Sequence, residues 1–213
     1  VDYGLLQKSQ QSTALHPIDL CGAGDHHASC PRHHHRRQSR IPTEPDRSFT
    51  MARVSVIDPK TATGAAADLL NAVQAQLGVT PNFIRVLANS PKALEGFLGL
   101  YGAAGSFAVD KATQERIALA VAEGNGCQYC VSAHTAIGRH AGLSNEEMQL
   151  NRRGTSADPK AAGTVAFAKA LNDNLGEVTA AEFDAARAAG LSDGEIVEVI
   201  AVVALNIFTN VLG

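Results

Sequence analysis

Beyond Met51 this 213-residue chain is punctuated so regularly by helix-start signals that little room is left for any other regular structure. Ser90-Pro91 and Asp158-Pro159 each set a good capping residue before a proline at the first helical position, and Asp58-Pro59 repeats the pattern. Asp110 and Thr179 add two further caps. Between the signals lie runs of helical length at 63–77, 83–89, 91–104, 111–123, 127–141, 145–152, 159–173, 180–189 and 193–211. None alternates apolar and polar residues convincingly, as a half-buried strand would. The expectation is an all-α fold, a compact domain of helical hairpins spanning residues 51–213.

A short echo supports hairpins. Ala141-Gly142-Leu143-Ser144-Asn145-Glu146-Glu147 and Ala189-Gly190-Leu191-Ser192-Asp193-Gly194-Glu195 agree at five of seven places. In each copy a glycine suited to the left-handed region ends one helix, and Ser with Glu three residues on promises a capping box for the next. The pattern reads either as a recurrent turn or as a duplicated hairpin.

What fills the core depends on composition. Aromatic residues make up 5% of the chain and tryptophan is absent, so Ala, Val, Leu and Ile must pack between closely approaching helices. The same shortage argues against a base-stacking platform, and a net charge of −3 gives no basic excess to attract a phosphate backbone. Nucleic acid is therefore not an expected partner. The most apolar run, Ile196 to Leu212, is interrupted by Glu198, Asn206 and Asn210 and reads as a buried core helix, with no membrane partner expected. No basic stretch followed by an apolar one opens the chain, and four cysteines make no dense disulfide framework, so a reducing cytoplasmic setting is expected.

Residues 1–50 differ in kind from the rest of the chain. They hold six of the eight histidines, two of the four cysteines and four of the eight prolines, without sustained periodicity. Cys21, His26, His27, Cys30 and His33 to His35 lack the spacing of a zinc module. The expectation is a native start at Met51, preceded by a non-native or disordered leader.

Chemistry concentrates in one place. Glu115 to Val121 occupy one helix, and Gly124-Asn125-Gly126 interrupts it just before Cys127-Gln128-Tyr129-Cys130-Val131-Ser132-Ala133-His134. Cys127 should therefore fall at a fresh helix N-terminus, where free N–H groups and the helix dipole stabilise a thiolate. Cys130 is three residues on and His134 four beyond that, which puts all three on one helical stripe. A thiolate with a second thiol beside it attacks an O–O or S–S bond and closes a disulfide before over-oxidation, while an imidazole handles protons. Glu115 shares a stripe with Ala112, Ala118, Leu119 and Ala122, an apolar setting for an ionisable side chain. Zinc is the competing use of Cys127, Cys130 and His134, but the body offers no clear fourth ligand, so neither a metal nor a cofactor is expected.

The pattern Glu-x11-Cys-x-Tyr-Cys-x3-His resembles the alkylhydroperoxidase D-like, peroxidase-related branch of the carboxymuconolactone decarboxylase superfamily. Gly-Val-Thr-Pro-Asn-Phe at 78–83 and Asn-Ser-Pro at 89–91 extend the likeness through most of the body. The resemblance implies an all-α fold, Cys130 as peroxidatic thiol, Cys127 as resolving thiol, and Glu115 with His134 as a proton relay. Tyr129 stands where some relatives carry histidine, and a phenol there is a hydrogen-bonder first. The resemblance further implies reduction of a small organic hydroperoxide, regeneration by a thioredoxin-like or lipoylated dithiol, and a homo-oligomer. The alternatives are a decarboxylase or lactone-ring enzyme of the same superfamily, and a non-catalytic redox-sensing module.

Overall fold

The computed structural model describes residues 54–212, which contain helices and no strand. The leader expected over residues 1–50 lies outside the described residues. In chain order the helices are α1 (Gly64–Leu77), α2 (Asn82–Leu87), α3 (Pro91–Ala104), α4 (Lys111–Gly124), α5 (Gln128–His140), α6 (Asn145–Arg152), α7 (Pro159–Asp173), α8 (Ala180–Ala188) and α9 (Asp193–Leu212). Each helix-length run read in the sequence is a helix, with boundaries moved by a few residues at most.

The caps explain most of the boundaries. Ser90, Asp110 and Asp158 each accept a hydrogen bond from the backbone N–H three residues on, and Thr179 and Glu182 form a complete capping box. Asp58 departs from expectation. Its carboxylate accepts from Lys60 N at 3.0 Å and closes an isolated turn, so α1 begins only at Gly64. A short side chain that bonds its own local backbone competes with helix entry, and here the turn wins.

The two echoed segments do the same job with one difference. Gly142 (φ +88°) and Gly190 (φ +97°) take the left-handed conformation, and the next residue donates back to Gly138 O and Ala186 O respectively. Ser192 and Glu195 complete the expected capping box: Ser192 N donates to Glu195 Oε2 at 2.8 Å, and Glu195 N to Ser192 Oγ at 3.2 Å. At Ser144 only half of it forms. Glu147 N donates to Ser144 Oγ at 3.1 Å, but the Glu147 carboxylate turns inward to Arg116, Asn151, Ser156 and Ala157 N. One carboxylate thereby ties α4, α6 and the loop before α7 together.

α4 is the hub. Ile117 through Ala122 are buried without a break, because α5, α6, α7 and α9 pack around them. One apolar cluster joins α4 to α7, α8 and α9 through Val121, Phe167, Leu171 and Val199; a second joins α1, α2 and α3 and reaches α9 at Leu205. Glu198 explains its own presence in the apolar α9: it accepts Val109 N at 2.9 Å and pins the turn that leads into α4.

The expectation of a buried core helix holds for only one side of α9. Ile196, Val199, Val202 and Val203 face inward, whereas Val197, Ile200, Phe208 and Val211 are exposed, Val211 by 79%. An apolar stripe is thus left exposed along α9. By length and composition alone α9, with a mean hydropathy of 1.9, matches a membrane span.

Glu147 makes the fold acid-sensitive. Burial pushes its carboxyl up, but hydrogen bonds from Ser156, Ala157 N, Asn151 and Arg116 outweigh burial and bring it down to about 2. In the unfolded chain the group returns to its ordinary 4.5, so between these limits the unfolded state binds the extra proton. The stabilisation is complete above that window and is lost as pH falls through it. Thermal unfolding between pH 5 and pH 2.5 should show a shallower pH dependence in Glu147→Gln than in the parent chain; equal slopes would exclude this role.

Candidate active site

α4 ends and α5 begins within three residues, and one residue serves both helices. Gly126 adopts φ +69°, Gly126 N donates to Glu123 O at 3.1 Å, and Cys127 N donates to Ala122 O at 3.0 Å. These are the paired bonds of a left-handed glycine cap, and Cys127 packs against Ala122 as such caps require. The same Cys127 is the N-cap of α5, its Sγ accepting Cys130 N at 3.3 Å. The expected thiol at a helix N-terminus is therefore present, fixed from behind by α4.

Cys127 and Cys130 are joined as a disulfide, with Cα atoms 5.3 Å apart. Cys130 is 4% exposed among Ala122 and Val131, whereas Cys127 is only partly buried. One turn beyond Cys130, His134 Nδ1 lies 2.8 Å from Glu115 Oε2. Both side chains are largely shielded, at 20% and 16% exposure. A carboxylate can only accept, so Nδ1 carries the hydrogen of this bond and Nε2 is the ring nitrogen that Glu115 leaves free. Glu115 thereby selects which ring nitrogen is free to take up a proton.

Four of the five candidate residues are brought together: the two sulfurs are bonded, and Glu115 is bonded to the histidine of the same stripe. Tyr129 stands apart. Its ring is 55% exposed on the outer side of α5 and makes no hydrogen bond among the described residues. Glu123, near the end of α4, accepts Arg152 Nε at 2.8 Å.

Sequence reasoning missed one contact. Asn125 Nδ2 donates to Asn172 Oδ1 and Asn172 Nδ2 donates to Asn125 Oδ1, both at 3.1 Å. The partners are 47 residues apart, and no local signal links them. A cavity of about 350 Å³ beside the N-terminal ends of α4 and α7, lined by residues including Asp110, Arg116 and Lys160, contains none of the five candidate residues. The chemistry is placed by side chains at a helix junction and not by that cavity. Among the described residues no group of three or more His, Cys, Asp and Glu side chains is arranged to hold a metal ion.

Known proteins resemble this chain in sequence over part of its length and in fold over most of it. The sequence model described as the carboxymuconolactone decarboxylase family matches residues 91–173, which run from α3 through α7 and include all five candidate residues. That segment is similar to the carboxymuconolactone decarboxylase family over somewhat less than half of the chain. Solved structures extend the likeness of fold beyond that segment. A peroxidase-related protein from Silicibacter sp. TM1040 is 22% identical with a TM-score of 0.64, covering 76% of this chain and 90% of its own. The alkylhydroperoxidase AhpD core of a peroxidase-related protein from Ralstonia eutropha JMP134 is 24% identical with a TM-score of 0.63, covering 74% and 86%. The debrominase Bmp8, in complex with 2,3,4-tribromopyrrole, is 20% identical with a TM-score of 0.64, covering 76% and 88%. No curated protein sequence matches significantly.

The N-cap role of Cys127 is testable by itself. Under reducing conditions Cys127→Ser should keep the cap and Cys127→Ala should lose it, making the alanine variant less stable by ~1 kcal/mol in urea unfolding. Equal stability of the two reduced variants would show that residue 127 does not cap α5.

Proposed function

We propose that the protein is a thiol-dependent peroxidase that reduces small organic hydroperoxides through the Cys127–Cys130 pair. The observation that carries this reading is the disulfide at the N-terminus of α5 with the Glu115–His134 pair one turn beyond it. His134 Nε2 takes the proton of the Cys130 thiol, the resulting thiolate attacks the terminal peroxide oxygen, and the O–O bond breaks, leaving a sulfenic acid on Cys130 and an alkoxide that receives that same proton back from His134. The Cys127 thiol then attacks the Cys130 sulfur, forming the disulfide and releasing water. Glu115 holds His134 in the tautomer and orientation that this proton traffic needs.

The cycle closes when an external dithiol, thioredoxin-like or lipoylated, reduces the disulfide. Cys127 is the more accessible sulfur and the one such a partner meets first. The enzyme acts in the cytoplasm as a homo-oligomer. The exposed stripe of Val197, Ile200, Phe208 and Val211, spaced like the seam of a helix pair and without charge, supports assembly with a second copy.

The family description favours a second reading, in which the same site handles a carboxylated metabolite as a decarboxylase or lactone-ring enzyme. The debrominase of the same fold acts on a different class of molecule again. A non-catalytic redox-sensing module is the remaining alternative, and it requires disulfide formation without turnover.

Mass spectrometry of reduced protein treated with a slight excess of tert-butyl hydroperoxide separates these readings. The expected products are a Cys127–Cys130 disulfide in the parent chain, a trappable sulfenic acid on Cys130 in Cys127→Ser, and no peroxide consumption above background in Cys130→Ser. Thiols that stay reduced in folded protein would overturn the peroxidase reading, and carboxylate turnover surviving Cys130→Ser would replace it.

A further inference from the structure

We propose that the reciprocal amide pair Asn125–Asn172 is a positioning device for Cys127, one that sets how readily the dithiol closes to its disulfide. The inference rests on the dithiol reading above and concerns residues outside the sulfur, imidazole and carboxylate groups.

The junction is short. Only Asn125, Gly126 and Cys127 separate the last residue of α4 from the first of α5. Fixing the side chain of Asn125 therefore leaves two residues of freedom before the sulfur. Asn125 is held by two hydrogen bonds of 3.1 Å to a single partner, each amide donating to the other's oxygen. The two amides are matched to each other, since turning one over alone breaks both bonds.

The partner is itself fixed. Asn172 is 7% exposed near the end of α7, so its amide has little access to water and depends on Asn125 for hydrogen bonds. Gly124 is shaped to the same contact: a Cβ there would stand 3.0 Å from Asn172 Nδ2, so a side chain at that position would push the amide away. Three residues, Gly124, Asn125 and Asn172, thus agree on one geometry, and the segment they restrain carries Cys127.

The consequence is entropic. Two thiols on a short segment close a disulfide in proportion to their effective concentration, which rises as one sulfur is confined near the other. With the amide pair intact, Cys127 Sγ is held against the first turn of α5, where it accepts Cys130 N. With the pair broken, the junction samples conformations that point Cys127 away. The disulfide then becomes easier to reduce and slower to form.

The experiment is a glutathione redox titration of the full chain, with the rate of intramolecular disulfide closure measured alongside, for the parent, Asn125→Ala, Asn172→Ala and the double variant. Each single change should lower the disulfide-forming equilibrium constant about three- to tenfold, consistent with the modest net worth of hydrogen bonds between neutral groups, and slow closure by a similar factor. The double variant should fall no further than the single ones, because either change removes the whole pair. Val73→Ala, in the separate α1–α3 cluster, serves as a control for lost stability and should leave the constant unchanged. Because Asn125 is exposed, Asn125→Ala keeps the test open even if Asn172→Ala fails to fold. An unchanged constant in folded Asn125→Ala, effects that multiply in the double variant, or an equal shift in Val73→Ala would each overturn the proposal. A parent chain that forms no disulfide in any glutathione buffer would instead overturn the dithiol reading beneath it.

Discussion

The hydrogen bond from Cys127 N to Ala122 O is the contact that builds the site. It makes a single cysteine part of the cap that closes α4 and the N-cap of α5, so the sulfur is attached directly to the hub of the core. α4 is buried from Ile117 to Ala122 by four neighbouring helices, and the rigidity of that packing is handed directly to the junction. A thiol on a free loop would have to be ordered for each reaction; here the ordering is done by folding.

Glu115 joins the same body from the other side. It lies about three turns before the cap on α4 and reaches His134 on α5, so the carboxylate and both sulfurs are set by one helix pair. The arrangement separates duties by accessibility. Cys130 is enclosed with Ala122 and Val131, while Cys127 is only partly buried. Around this centre other polar residues are committed to holding the scaffold: Glu147 ties α4 to α6, Arg152 takes up Glu123, and Glu198 secures the entry to α4.

What can be read from the sequence alone depends on the range of the interaction. Caps such as Ser90, Asp110, Asp158 and Thr179 act within three residues and announce the helices directly, and the Cys127, Cys130 and His134 stripe comes from helical spacing. Glu115 is singled out by the apolar stripe it sits on, and its link to the cysteines comes from the family resemblance and not from periodicity. The failures share a cause. Ser144 shows only half of its expected capping box because Arg116, 31 residues from Glu147, claims the carboxylate. Asn172 is invisible to any local pattern, being 47 residues from its partner. The outward face of α9 escapes for a different reason: hydropathy reports how apolar a helix is but not whether neighbours exist to cover both sides.

Activation of the dithiol by the helix terminus and the Glu115–His134 pair is most directly read by titrating the thiolates of the reduced protein. Following thiolate absorbance against pH in the parent chain, and in Cys127→Ser and Cys130→Ser to separate the sulfurs, gives the midpoint of each. At least one thiol should titrate well below the ~8.5 of a free cysteine, and Glu115→Gln should move it back toward that value. Two thiols titrating near ~8.5, indifferent to Glu115, would contradict this activation.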